Sequence, residues 1–306
     1  VLFILCNAII ALQCYSISHF NTEMQAVITP TALDTINSNR IKALFLGIDV
    51  PKPKTARQTK TDEVWQIPVG EKDYLEAWLV KTTTGRKGIV ALFHGFMNEK
   101  SMMLREAFAY KRMGYDVLLV DFIGSGGSSG NQCTIGYYEA ENVKSVYDYL
   151  KNRNADDNIF LGGFSMGAVA IIKAQHDYEM DVSGIIIEAP FGRLEETIAA
   201  RADIVGIPAT PASQFVTFWF GAVNGFNAFA FNPEEDIQTI TVPTLLLFGG
   251  KDQYISPEEA QRIYDNSGSS TKQIHIFPHA RHHTYMNSYR KEWTKITSDF
   301  LTEHSH

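Results

Sequence analysis

A chain of 306 residues, 45% hydrophobic and 20% charged, has the make-up of a globular protein and not of a disordered one. Its 27 basic against 34 acidic residues, a net charge of −7, exclude a nucleic-acid surface, and no basic run or RNA-binding signature offsets them. The length allows one large domain and just admits two.

The first stretch in chain order, "VLFILCNAIIALQCYSISHF", is almost free of charge. Its strongly apolar part, Val1 to Leu12, is too short to span a bilayer alone and resembles the h-region of a signal peptide. Residues 1–20 therefore read as an export signal or membrane anchor, or else as a packed N-terminal helix. The first reading makes the protein exported or membrane-associated; the second makes it cytoplasmic. Cys14 follows Ala11-Leu12-Gln13, a poor lipobox because a small residue is needed where Gln13 stands. With Cys6 and Cys14 in this segment and only Cys133 in the body, the chain offers no disulfide framework and no CxxC metal pair. Residues 21–62 read as a polar leader and linker, with a helix around Ile36 to Leu46 and an extended arm in "DVPKPKTARQTKTDE".

From Glu63 the pattern changes. "EVWQIPV" and "YLEAWLVK" are short, partly alternating runs separated by 70–73, as in a β-hairpin. Strand-length apolar runs follow at 88–94, 115–121, 158–164, 184–190, 244–250 and 272–278. Helical patterns lie between them, near Met102–Met113, Ile135–Lys151, Met166–His176 and Glu258–Tyr264, with a last helix from about Thr284 to Glu303. Apolar strands alternating with helices predict a mostly parallel central sheet with helices on both faces, an α/β fold whose sites form at the carboxyl ends of the strands. One interval breaks the rhythm: residues 191–241 are far longer than a crossover and dense in aromatics and glycine, which predicts a small cap over the strand ends.

"IFLGGFSMGAVAI" ends a strand in Gly-x-Ser-x-Gly and starts a helix at once. A turn that sharp leaves no room for side chains at Gly163 and Gly167, and it lifts the Ser165 hydroxyl above the sheet at a helix N-terminus. A serine hydroxyl attacks only when a base takes its proton. "LLLFGGKDQYIS" supplies Asp252 just past a strand, and "FPHARHHTYM" supplies His282 past the final one, with His283 the next choice and His279 ending the strand. The order Ser, Asp, His is the order that a nucleophile elbow of this architecture uses. Glu188, which also ends a strand, is the alternative acid, although its expected role is a hydrogen bond to the base of the cap. The histidine cluster lacks the carboxylate or cysteine motif of a metal site. Acyl transfer needs donors for an oxyanion, and the backbone N–H groups of Met166 and Phe96 fit; His94 beneath them reads as structural.

These residues together resemble the α/β-hydrolase superfamily over about 63–301. "DFIGSGGSSG" (121–130) looks like the family's turn after the fourth strand, and "FWFGAVNGFNAFAFNPEEDI" (218–237) resembles the cap of the BEM46-like and serine aminopeptidase S33-like group. Gly124, Gly126, Ser128 and Ser129 then read as turn formers, not as a phosphate loop. The resemblance implies an α/β-hydrolase domain at 63–306 with a cap insertion at about 191–241, and a serine hydrolase that cleaves a carboxyl ester through an acyl-enzyme. Ser165, Asp252 and His282 would be catalytic, and no metal or organic cofactor would be needed. The partner implied is a small-molecule or lipid-like ester, with membrane association through the N-terminus. Cap aromatics, chiefly Phe218, Trp219 and Phe226, are the expected substrate-binding groups, although packing of the cap explains any single ring as well. The alternatives are an S33-like aminopeptidase, with Glu195 or Glu196 taking the substrate's amino terminus, and a non-catalytic binding protein on the same fold.

Overall fold

Runs such as "GIVALF" and "TLLLFG" have no polar residue to turn toward water, and both are buried along their whole length as β5 (Gly88–Phe93) and β9 (Thr244–Gly249). The computed structural model, which describes residues 1–27, 48–56, 61–204, 206 and 208–305, sets them in an eight-stranded sheet. Its other strands are β3 (Glu63–Val69), β4 (Asp73–Val80), β6 (Tyr115–Val120), β7 (Ile159–Phe164), β8 (Gly184–Glu188) and β10 (Lys272–Phe277). The spatial order is β10-β9-β8-β7-β5-β6-β4-β3. Strands β5 to β10 run parallel, while β4 is antiparallel to β3 and to β6. The hairpin at 63–80 thus closes one edge, and all strands from Gly88 onward send their carboxyl ends to one side.

Alternate side chains of one strand feed two separate cores. Ile89, Ala91 and Phe93 of β5 join Val143 and Val146 of α3 (Glu139–Arg153) and Val169 and Ile172 of α4 (Met166–Tyr178). Val90 and Leu92 face Leu104 and Ala107 of α2 (Leu104–Met113), in a core that also holds Trp293 and Phe300 of α9 (Arg290–His304). Each fully buried side chain of this size contributes about 1.5–3 kcal/mol, so helices on both faces hold the sheet far more firmly than helix propensity does. The last helix starts at Arg290 instead of near Thr284, because Tyr285–Asn287 form a 3₁₀ turn that buries the Tyr285 ring.

The interval between β8 and β9 is helical: α5 (Leu194–Ile204), α6 (Ala209–Asn224) and α7 (Pro233–Asp236). Against α6 lies α1 (Leu2–Ser18). Trp219 Nε1 donates to Asn7 Oδ1 at 2.8 Å, Asn224 Nδ2 to Ser18 Oγ at 3.1 Å, and the Phe3 and Phe215 rings meet edge to face. No helix among the described residues is long and apolar enough to cross a membrane.

The leader holds a strand pair that its reading as a polar leader and linker did not include. Asn21–Ala26 is a strand, β1, paired parallel with β2 (Pro51–Pro53) in what had read as an extended arm. "NTEMQA" has no apolar alternation, so this pairing comes from tertiary docking and not from pattern. Lys52 in β2 is buried and donates to the Ser128 and Gly130 carbonyls at 2.6 and 3.1 Å, which ties the leader to the glycine-serine turn after β6. The helix expected at 36–46 lies outside the described residues.

Candidate active site

Ser165 stands between β7 and α4 at φ 53°, ψ −113°, a backbone conformation that costs a non-glycine residue roughly 1–3 kcal/mol. The two flanking glycines make that turn possible. A Cβ at Gly167 would sit 2.2 Å from the Phe93 carbonyl oxygen, and one at Gly163 would sit 2.5 Å from the backbone of Gly167. The strain therefore has a counterpart in packing: the helix start is pressed against the end of β5.

Two loops bring the other groups to this corner. Asp252 follows β9, and one of its oxygens accepts the N–H groups of Tyr254 and Ile255 at 2.8 and 3.2 Å. His282 follows β10, and Lys251 N donates to the Ala280 carbonyl at 2.8 Å, which locks the two loops together. His282 Nδ1 then lies 2.7 Å from Asp252 Oδ2, and its Nε2 lies 2.9 Å from Ser165 Oγ. The carboxylate partner fixes the proton on Nδ1, so Nε2 is left to accept from the serine hydroxyl. Such a line of groups can draw a proton from the hydroxyl and hold the imidazolium that results.

The competing side chains point elsewhere. His283 Nε2 meets Ser288 Oγ at 3.1 Å, and His279 is exposed. Glu188 does not reach the cap base: it is buried on the opposite side of the sheet, where Trp293 Nε1 and Tyr285 N donate to it at 2.8 and 3.4 Å. Its own carbonyl accepts Ser165 N at 2.8 Å, so it braces the elbow from behind. His94 is fully buried, with Nδ1 2.8 Å from the Gly95 carbonyl and Nε2 accepting Phe122 N at 3.2 Å. Burial pushes its pKa down, and a neutral ring with both nitrogens committed is a strut beneath the loop.

Phe96 lies in the loop after β5, and Met166 opens α4, whose first N–H groups have no partner within the helix. Phe96 is part of the wall of a cavity of about 600 Å³ in front of Ser165, whereas the Met166 side chain is buried against Cys133 and directly follows the serine in the chain. Phe164, Met102, His282 and Arg201 also line that cavity. The glycine-serine turn is structural: Asp121 accepts the N–H groups of Lys100 and Gly127 at 2.7 and 2.9 Å and pairs with the buried Lys100 ammonium.

The cap aromatics are not where the sequence put them. Phe226 stacks on Tyr137 with centroids 4.0 Å apart, joining cap to body, and Trp219 bonds Asn7 of α1. Phe218 is 54% exposed and rests edge-on against Trp219. None of the three lines the cavity beside Ser165. The cap residue that does line it is Arg201, which no motif flagged; only the register of α5 over Tyr254 discloses it.

The serine aminopeptidase S33 family matches residues 84–224 and 217–288. The chain belongs to that family. Among similar proteins, the uncharacterized protein YqkD of Bacillus subtilis is 26% identical over 215 residues, covering 69% of this chain and 70% of YqkD. The bem46 protein of Schizosaccharomyces pombe is 22% identical over 262 residues, covering 83% of this chain and 81% of its own. Among solved structures, the esterase Pf2001 of Pyrococcus furiosus superposes with a TM-score of 0.70 at 20% identity, over 83% of this chain and 97% of that one. At that identity the superposition speaks for the α/β-hydrolase fold. The protein is a hydrolase of the S33 family, with esterase-like structural neighbours.

Proposed function

We propose that this S33-family hydrolase cleaves carboxyl esters through an acyl-enzyme, with Ser165 as nucleophile, His282 as base and Asp252 as its orienting carboxylate. One observation carries the reading: a single imidazole bridges the Ser165 hydroxyl and the Asp252 carboxylate at 2.9 and 2.7 Å. Ser165 Oγ attacks the ester carbonyl as its proton passes to His282 Nε2, and the N–H groups of Met166 and Phe96 hold the oxyanion. The imidazolium returns the proton to the departing alkoxide. Water, deprotonated by the same nitrogen, then attacks the acyl-Ser165 ester and releases the acid.

Two features favour an ester over an amino-terminal peptide. Glu196, a candidate for an ammonium group, is spent on Arg262 at 2.7 Å, and neither it nor Glu195 lines the cavity. The charge that does line the cap side is the guanidinium of Arg201, which repels an ammonium. Exposed Phe3, Ile4 and Leu5 on α1 support membrane association or export as part of the same proposal.

A fluorophosphonate probe tests the nucleophile: the wild type takes the label and Ser165→Ala does not. An unlabelled wild type overturns the reading. Aryl esters of increasing acyl length, run beside aminoacyl-arylamides, test the bond cleaved; turnover of the arylamides alone overturns the ester assignment.

A further inference from the structure

The cap carries its arginines in two different ways. Arg193 holds Glu234 and Glu235 at 2.7 and 3.2 Å, and Arg262, which faces the cap from α8 (Pro257–Asn266), holds Glu196 and Glu234 at 2.7 and 3.3 Å. Arg201, in the last turn of α5, has no ion pair among the described residues. It is nonetheless held firmly. Its Nη1 donates to the carbonyl and hydroxyl oxygens of Thr197, both at 2.9 Å, and its plane lies 4.4 Å over the Tyr254 ring. Tyr254 in turn meets the His282 ring edge to face at 5.1 Å. The guanidinium is therefore two ring contacts from the catalytic imidazole and lines the same cavity as Ser165.

The nearby carboxylates are already committed. Asp252 serves His282 and two backbone N–H groups, Glu259 takes Gly192 N, and Glu99, also on the cavity wall, accepts from Ala56 N, Ser101 N and Ser101 Oγ. The Nε and Nη2 edge of Arg201 has no acceptor among the described residues. That edge is the planar fork that matches two oxygens of one anion. Phe96, Phe164 and Met102 give the same cavity an apolar part of its lining.

We infer that the substrate is an amphiphilic ester with an anionic group, carboxylate or phosphate, received by Arg201 while its apolar portion lies along Phe96, Phe164 and Met102. The inference rests on Ser165 being the nucleophile. The anion takes no part in the chemistry: water cleaves the acyl C–O bond to give acid and alcohol, and the guanidinium fixes where the carbonyl stops.

Two matched sets of esters test it. On the alcohol side, 4-butyryloxybenzoate and 4-butyryloxyphenyl phosphate are compared with methyl 4-butyryloxybenzoate. On the acyl side, 4-nitrophenyl hydrogen suberate is compared with 4-nitrophenyl octanoate. In at least one set the anionic ester has a kcat/KM roughly 10- to 100-fold above its neutral partner, as a bidentate charged hydrogen bond supplies. Arg201→Gln brings that ratio to about one, and Arg201→Lys restores only part of it; the phosphate and benzoate arms tell which anion is preferred. No anionic preference in the wild type, or an Arg201→Gln variant that slows charged and neutral esters by the same factor, overturns the inference. Fluorophosphonate labelling of the same samples separates the two readings: labelled protein without the preference overturns the role of Arg201 alone, whereas unlabelled protein overturns the nucleophile.

Discussion

The two sides of the cavity are built on different terms. On the body side, α4 buries its residues from Met166 to Ile172 without a break, and Ser165 is held in a strained turn against the backbone of β5. On the cap side, α5 buries only Leu194 and Thr197, and it is tied to α8 by the exposed ion pair of Glu196 with Arg262. Surface pairs of that kind contribute about 0–1 kcal/mol each. If Ser165 reacts and Arg201 selects, as proposed, the difference separates two jobs: the reacting group is fixed by close-packed backbone, and the selecting group is carried on a helix that substitutions can retune at little cost to the fold.

If that contrast is right, changes on the body side cost most. Asp252→Asn keeps the shape of the site but loses the acceptor that holds the Nδ1 proton of His282. Its kcat for ester hydrolysis falls about 10³- to 10⁴-fold with KM little changed, measured by steady-state kinetics. A drop under tenfold would mean that the imidazole is oriented by something else. Gly167→Ala forces a Cβ into the Phe93 carbonyl and loses about 3 kcal/mol or more in urea unfolding. A loss under 1 kcal/mol would show that the elbow yields as readily as the cap.

Glu188 sharpens the comparison through pH. Burial foremost, with the charge of Glu106 added, pushes its pKa from 4.5 to about 8, against the pull of the N–H donors Trp293 and Tyr285. Between about pH 4.5 and 8 the folded protein keeps a proton on Glu188 that the unfolded chain gives up. Stability from this group is therefore present at low pH and is lost as pH rises through that window. Urea midpoints measured from pH 5 to 8 show this decline, to which Glu259, its pKa pushed up to about 7 by burial, adds; Glu188→Gln makes it shallower, and an unchanged slope would remove Glu188 as a source. The smallest effect belongs to the cap: Asn7→Ala, which deletes the acceptor of Trp219 Nε1, costs about 1 kcal/mol, read as a small shift in Tm.

The body was legible in the sequence because its signals are local. A parallel strand covered on both faces must be apolar throughout, as at 244–249, and an elbow with room for no Cβ must spell Gly-x-Ser-x-Gly. The order of Ser165, Asp252 and His282 survives because each follows its own strand. What escaped the sequence depends on distant partners. β1 has a polar sequence and becomes a strand by docking on Pro51–Pro53. The aromatics of the cap were visible as residues but not as contacts: Phe226 finds Tyr137, and Trp219 finds Asn7, at the far end of the chain. Arg201 looks like any exposed helical arginine until Tyr254 and the cavity are seen beneath it.

The seating of α1 on α6 bears on how the protein is handled at the bench. Cys14 Sγ donates to the Val216 carbonyl, Ser18 accepts from Asn224, and Phe3 covers Phe215, so the first eighteen residues act as the outer jacket of the cap. A shortened gene product beginning at the hairpin would uncover Phe215, Val216 and Trp219, among the α6 residues that α1 touches, a strip of side chains suited to self-association. Size-exclusion chromatography of such a product is expected to show aggregates where the chain that keeps α1 shows none.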